Sequence, residues 1–152
     1  MKTSKMKGFT LIELIVVIAI IGVLAAILVP SMIGYVGSSK LATANSNAKL
    51  AFENTATYCT ECEVKGYTVS SGTYSVNLMV APAGQYSKNG KQLSQALGSL
   101  MGNASSGGLA KVKVAAAGVP EDAQWHKSAS DLYIGRYPQE SDSKAASAAW
   151  LT

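Results

Sequence analysis

Glu13 is the one ionisable side chain in an apolar stretch that runs from Phe9 to Val29. An ionised carboxylate close to hydrocarbon costs several kcal/mol unless a positive group neutralises it. The chemistry expected of Glu13 is therefore pairing with a cation. A single acid at the edge of such a stretch is a candidate functional residue.

Cys59 and Cys62 form a C-x-x-C pair, which can be a redox pair, half of a zinc site or a local disulfide. The sequence has no second C-x-x-C, and its one histidine, His126, is far away in sequence. We therefore expect a disulfide between Cys59 and Cys62, at the point where a long helix should end. Such a bond closes a very short loop and stabilises the fold modestly.

Other groups that could do chemistry carry weak signals. A histidine-based catalytic triad would have to use His126, and no G-x-S-x-G motif supports it, so His126 is expected at the surface. Neighbouring acids such as Glu61 and Glu63 do not fit a calcium-loop pattern. We predict no catalytic residue, no metal site and no cofactor, and therefore no enzyme.

The aromatic residues of the second half of the chain have two interpretations. They could line an exposed surface that binds a sugar, or they could fill the core of a small sheet domain, and the core is favoured. The residues concerned are Trp125, Tyr133, Tyr137 and Trp150.

The net charge of +4 is concentrated before the apolar stretch, where Lys2, Lys5 and Lys7 lie. Without the first eight residues, 10 basic and 9 acidic side chains remain, a net charge of +1. The body of the chain therefore has no electrostatic signature of a nucleic-acid partner.

These residues must be positioned by a helix of membrane length. The 21 residues from Phe9 to Val29 would extend about 32 Å as a helix, close to the hydrocarbon thickness of a bilayer. Lysines on one flank alone predict a cytoplasmic N-terminus, with the chain after about Ser31 outside the cytoplasm. An ordinary secretory signal is disfavoured because the apolar stretch is too long, and a plain membrane anchor leaves Glu13 unexplained.

The stretch KGFTLIELIVVIAIIGVLAAILVP resembles the N-terminus of type IV pilins and the related pseudopilins. The resemblance implies that a prepilin peptidase cuts after Gly8 and methylates the new amine of Phe9. It implies that Glu13 then pairs with the Phe9 amine of a neighbouring subunit during assembly. It also implies that the helix can melt between Gly22 and Pro30 in the filament.

The expected product is a helical homo-oligomer, assembled by a platform and an ATPase from subunits held in the cytoplasmic membrane, and ending as an extracellular pilus. A pseudopilin of a secretion or DNA-uptake system is the alternative within the family. A membrane-tethered module that binds carbohydrate or another partner is the alternative outside it.

The fold expected is α+β, with a long N-terminal helix packed on a small antiparallel sheet. We predict a leader over residues 1–8 that is removed, a hydrophobic transmembrane or filament-core helix over 9–35, and a globular head over 36–152. Because small and apolar residues recur at three- and four-residue steps after Pro30, the helix should continue to about Tyr58.

Periodicity also predicts the elements of the head. The segment GYTVSSGTYSVNLMV is expected to form a hairpin around Ser70, Ser71 and Gly72. Leu93, Leu97, Leu100 and Met101 should share one face of a short second helix. The segments AKVKVAAAG and SDLYIGRYP supply two further strands.

Overall fold

The computed structural model describes residues 8–79, 85–101, 107–128 and 130–142. The chain divides into two compact units, Met1–Ser38 and Ser39–Thr152, which we call the N-terminal unit and the head. The first helix, α1 (Leu11–Val64), contributes residues to both units. The expected α+β fold, a long N-terminal helix with a small antiparallel sheet, is confirmed.

The part of α1 within the head is amphipathic, as its periodicity predicts. Its buried side chains recur every three or four residues, so they form one stripe that faces the core. The helix extends to Val64, six residues beyond the expected end at Tyr58, because the C-x-x-C segment continues it. The stripe consists of Ala44, Ala48, Ala51, Thr55, Tyr58 and Cys62.

The sheet is a four-stranded antiparallel meander of β1 (Gly72–Asn77), β2 (Leu109–Val114), β3 (Pro120–His126) and β4 (Gly135–Tyr137), in that order. The second helix, α2 (Leu93–Met101), lies in the connection between β1 and β2. Leu93, Leu97 and Met101 are buried as predicted, whereas Leu100 is exposed.

The predicted hairpin around Ser70, Ser71 and Gly72 is wrong. Residues 67–70 form no strand, and β1 pairs instead with β2, where Gly72 lies opposite Val114. The reason is the end of α1, where the amides of Gly66 and Tyr67 donate to the carbonyls of Glu63 and Cys62. This capping arrangement reverses the chain just after the helix, so the following residues pack against the helix rather than form a strand.

The strand β3 was not predicted, and His126 is not at the surface. Its side chain is 7% exposed, and its Nδ1 lies within hydrogen-bond distance of the Ser128 carbonyl. Trp125 is 3% exposed and belongs to the core, as favoured from the sequence. Gln124 is also buried, so β3 buries side chains on both faces of the sheet and lacks the simple alternation of a half-buried strand.

Candidate functional site

The predicted assembly residues lie at the start of α1. Gly8, Phe9 and Thr10 precede the helix, which begins at Leu11, and Glu13 lies in its first turn. Thr10 is the N-cap, since the amide of Leu14 donates to its carbonyl at 3.3 Å.

Glu13 and Thr10 form a reciprocal set of hydrogen bonds. Glu13 Oε2 accepts from the Thr10 amide at 2.9 Å and from the Thr10 hydroxyl at 2.6 Å, while the Glu13 amide donates to Thr10 Oγ1 at 3.3 Å. This is a capping box, in which a threonine and a glutamate three residues later satisfy amides that the helix leaves unpaired. Among the described residues Oε1 accepts no hydrogen bond, so it is available to a second donor.

The capping role of Glu13 was missed from the sequence, although its signal was there. The pattern T-x-x-E directly before an apolar run is the signature of a capping box. A cationic partner was the expected explanation of this acid. The structure adds a local partner, Thr10, that fixes the direction of the carboxylate.

The predicted cleavage site is exposed and lies outside the helix. Phe9 is 79% exposed, and a Cβ placed on Gly8 would meet no atom within 4 Å. Since the backbone of Gly8 is also not in the left-handed region, nothing in the described structure requires glycine at this position.

The apolar side chains that follow have no cover within the described chain. Every residue from 8 to 36 is exposed, and residues 11–38 of α1 would extend about 42 Å. Among the described residues one helix, α1, is long and apolar enough to cross a membrane. It is continuous through Gly22 and Pro30, the two points where weakness was expected.

Comparisons with known proteins show what this segment is similar to. Residues 3–29 match the family described as "Prokaryotic N-terminal methylation motif". The "Type IV major pilin protein PilA" of Myxococcus xanthus (strain DK1622) is 50% identical over 46 residues, which are 30% of this chain and 21% of that protein. The N-terminal segment of this chain is similar to that of type IV pilins.

Two further relatives match the same pilin-type segment. The "Type IV major alpha-pilin" of Moraxella bovis is 52% identical over 50 residues, 33% of this chain and 30% of that protein. The "Fimbrial protein EcpC" of Eikenella corrodens is 60% identical over 38 residues, 25% of each chain. The chain thus spans only 21% to 30% of the length of these relatives. No solved structure matches it significantly.

In the head, the expected disulfide between Cys59 and Cys62 is not formed in the structure. Cys59 and Cys62 are both free thiols, and both are buried in the last turns of α1. Burial, with a smaller contribution from Cys62, raises the pKa of the Cys59 thiol to about 11. A thiol that stays protonated is a poor nucleophile and a poor metal ligand, so the environment of the pair favours a packing role.

Four of the eight acids of the head, Glu53, Glu61, Glu121 and Asp122, are engaged in ion pairs. Glu61 accepts from Lys88 at 2.8 Å, and Arg136 donates to Asp122 at 2.9 Å. No cluster of three or more potential metal ligands occurs within the described residues.

The other aromatic residues singled out from the sequence do not form one open surface. Tyr137 packs edge-on against Phe52 with ring centroids 5.1 Å apart, and Lys40 lies 5.7 Å from the ring of Tyr133. Trp150 and the lysines of the leader, Lys2, Lys5 and Lys7, lie outside the described residues.

Proposed function

We propose that this chain is a structural subunit of a type IV pilus-like extracellular filament and polymerises through the N-terminal part of α1. One observation carries the proposal. The pilin-type segment, whose apolar side chains are all exposed, has Glu13 at its start, and Oε1 of this acid accepts no hydrogen bond among the described residues. Exposed apolar surface of this extent must be covered by lipid or by neighbouring subunits. The membrane would cover it before assembly, and copies of the same helix would cover it afterwards.

In this proposal a prepilin peptidase cuts between Gly8 and Phe9 and methylates the amine of Phe9. The bond lies in exposed backbone before the helix, where a peptidase can reach it. Because the described structure places no demand for glycine at residue 8, the requirement is assigned to the peptidase.

Cleavage creates the cation that Glu13 needs. The amino terminus of Phe9 in an incoming subunit would bind Oε1 of Glu13 in a subunit already in the filament, while Oε2 keeps its bonds to Thr10. Pairing neutralises two charges, each of which would be costly alone in an apolar interface. Loss of one partner of such a pair costs about 3 to 5 kcal/mol. The pair therefore sets the register of docking.

Two substitutions separate this pairing from helix capping. Glu13→Gln keeps an oxygen that can accept from the Thr10 amide, since glutamine also serves in capping boxes, but removes the charge. Thr10→Val removes the hydroxyl that bonds Glu13 and leaves the charge in place. We expect Glu13→Gln to abolish filaments and Thr10→Val to retain them.

Fibres sheared from the cell surface and counted by electron microscopy give the result, with immunoblots to check that each variant reaches the membrane. Filaments of Glu13→Gln at the wild-type level would contradict the pairing. In a mixed population, Glu13→Gln subunits should enter wild-type filaments only sparsely.

Processing is tested by mass spectrometry of the N-terminal peptide. We expect a mature chain that begins with methylated Phe9, and Gly8→Ala should block cleavage. A mature terminus elsewhere, for example after the small residues at 42–44, would contradict the processing step.

Within the family we favour a pilus over a secretion or DNA-uptake pseudopilus because the matched relatives carry the names of major pilins and a fimbrial protein. The proposed partners are further copies of this chain, the cytoplasmic membrane, the prepilin peptidase, and an assembly platform with its ATPase. The role is structural, without catalysis. Helix loss between Gly22 and Pro30 in the filament belongs to the same proposal, because proline removes a hydrogen bond there.

A further inference from the structure

The end of α1 and two nearby segments enclose a cavity of about 270 Å³ in the head. One wall is the last helical turns, with Cys59 and Glu63, and the second is the segment with Tyr67 and Thr68. The third wall is the turn of residues 117–120 that leads into β3.

Local structure explains why these segments meet. The cap at Gly66, whose φ is +79°, turns the chain so that Tyr67 and Thr68 run back beside the helix they have just left. The opposite turn contains Ala117 at φ 67° and ψ 14°, a left-handed conformation that is uncommon for a residue with a side chain. Backbone strain of this kind clusters at ligand sites.

Three polar groups at this cavity have no partner in the part of the chain that the structure describes. Within the described residues, no hydrogen bond or ion pair engages the carboxylate of Glu63, the hydroxyl of Tyr67 or the hydroxyl of Thr68. By contrast Glu61, two residues from Glu63, is paired with Lys88 on a different side of the helix. Apolar surface lies beside these polar groups, because Tyr67 and Val119 both line the cavity and are 51% and 56% exposed.

We infer that this cavity binds a single sugar ring, a hexopyranose, with a preference for an amino sugar. An exposed aromatic ring offers a flat apolar face to the C–H face of a sugar. A carboxylate accepts hydrogen bonds, and hydroxyls both donate and accept, which matches the hydroxyls of a sugar. The cavity volume is slightly below the range of about 300 to 1,000 Å³ typical of drug-sized ligands, so it suits one ring.

Charge restricts the ligand further. Glu63 is the one charged side chain that lines the cavity within the described residues, so the site disfavours anions such as phosphates and acidic sugars. An ammonium group on the sugar would form a charge-assisted hydrogen bond with this carboxylate. This inference does not depend on polymerisation, and neither Trp125, Tyr133 nor Tyr137 lines the cavity.

The test uses the full chain in a polyoxyethylene detergent, because detergents with sugar head groups would compete. Binding of glucosamine, glucose and cyclohexylamine is measured by saturation-transfer NMR and by titration. We expect dissociation constants of about 1 mM for glucosamine and about tenfold higher for glucose. Cyclohexylamine, which has the charge and a ring but no hydroxyls, should bind at least about tenfold more weakly than glucosamine.

Variants assign the binding to this cavity. Tyr67→Ala should weaken both sugars by about tenfold or more, whereas Tyr67→Phe keeps the ring and should change them by less than about threefold. Glu63→Gln should remove the preference for glucosamine and leave glucose almost unchanged. Glu140→Gln, at another exposed acid with no partner among the described residues, is the matched control and should change nothing.

A second measurement uses Cys59, which lines the same cavity. Saturating glucosamine should slow the labelling of Cys59 by a small thiol reagent, and it should not do so in Tyr67→Ala. The inference is overturned if no sugar binds, if Tyr67→Ala binds glucosamine like the wild type, or if cyclohexylamine binds as tightly as glucosamine.

Discussion

The side chain of Asn45 holds residues 136–142, the last part of the chain that the structure describes, against α1. Replacement of this side chain by alanine should release that segment. The Asn45 side chain is 8% exposed and makes three hydrogen bonds to backbone groups. Nδ2 donates to the carbonyl of Ser141 at 2.9 Å, and Oδ1 accepts from the amides of Arg136 and Ser141 at 3.1 and 3.2 Å. One side chain thus joins the helix to both β4 and the residues that follow it.

The cost of Asn45→Ala follows from these three bonds. Each contributes about 1 kcal/mol net, and a buried group left without a partner costs about 1 to 3 kcal/mol. Ser141 is 6% exposed, so water reaches its amide and carbonyl poorly while the segment stays docked. We therefore expect Asn45→Ala to lose about 2 to 4 kcal/mol of docking free energy, a factor of about 30 to 1,000 in the equilibrium.

Hydrogen exchange on the full chain in detergent micelles measures this loss residue by residue. The amides of Arg136 and Ser141 should lose protection, while the amide of Trp125 in β3 should keep most of it. Asn47→Ala is the matched control, since Asn47 is also 8% exposed on the same helix but its Nδ2 has no hydrogen-bond partner in the described structure. Asn45 does not hold the segment if Asn45→Ala leaves both amides protected within about threefold, or if the two variants behave alike.

Two further predictions concern the packing of the head. A Cβ on Gly135 would lie 1.9 Å from the backbone carbon of Ala44. Gly135→Ala should therefore lower the free energy of unfolding, measured by urea titration, by about 1 to 3 kcal/mol or more, whereas Gly34→Ala, where the added Cβ meets open space, should not lower it. Equal effects of the two substitutions would contradict the close approach of Gly135 to Ala44. Because burial raises the pKa of Cys59 to about 11 from an ordinary 9.0, its thiolate fraction near pH 8 should be about 100-fold below that of a free cysteine, and alkylation should be correspondingly slow. The protonated thiol is the form that the fold favours, so its contribution to stability should be constant below about pH 9 and decline as the pH rises toward 11. After unfolding without reductant, a thiol reagent should label both Cys59 and Cys62. If labelling required a reductant, the two cysteines would form a disulfide after all.

The sequence predicts those elements whose apolar pattern matches their burial. The stripe on α1, the buried face of α2 and the strands β2 and β4 all follow from simple periodicity. β1 also shows alternation, but alternation specifies a face and not a partner. Its true partner, β2, is more than thirty residues away, beyond α2, so the local hairpin was the wrong choice.

The strand β3 shows that a strand can form, and be buried, without a regular alternation of apolar residues. Its sequence, PEDAQWH, has charged residues at its second and third positions and then buries four side chains in a row, two of them polar. Burial of Gln124 and His126 depends on what packs against the outer face of the sheet. Neighbours in sequence carry no information about such contacts.

The candidate sites were predictable to different degrees. Gly8, Phe9 and Glu13 lie in one short segment, so a linear motif is enough to find them. The cavity beside Glu63 takes its walls from three segments, the first and last of which are more than fifty residues apart, and it exists only because the cap at Gly66 reverses the chain. No spacing in the sequence connects Glu63 with Val119.

The capping box explains why the acid that is proposed to bind a neighbouring subunit belongs at residue 13. Thr10 holds one carboxylate oxygen before any partner arrives, so little side-chain entropy remains to be lost when the second oxygen binds an amine. An acid one turn further along α1 would lie deeper in the apolar stretch, with its amide already bonded within the helix and no free N-terminal amides to hold it. At residue 13 the helix end compensates part of the cost of the charge in the single subunit, and in the proposed filament the amine of the next subunit would compensate the rest. Local capping and docking between subunits are therefore compatible uses of one carboxylate, because each requires a different oxygen.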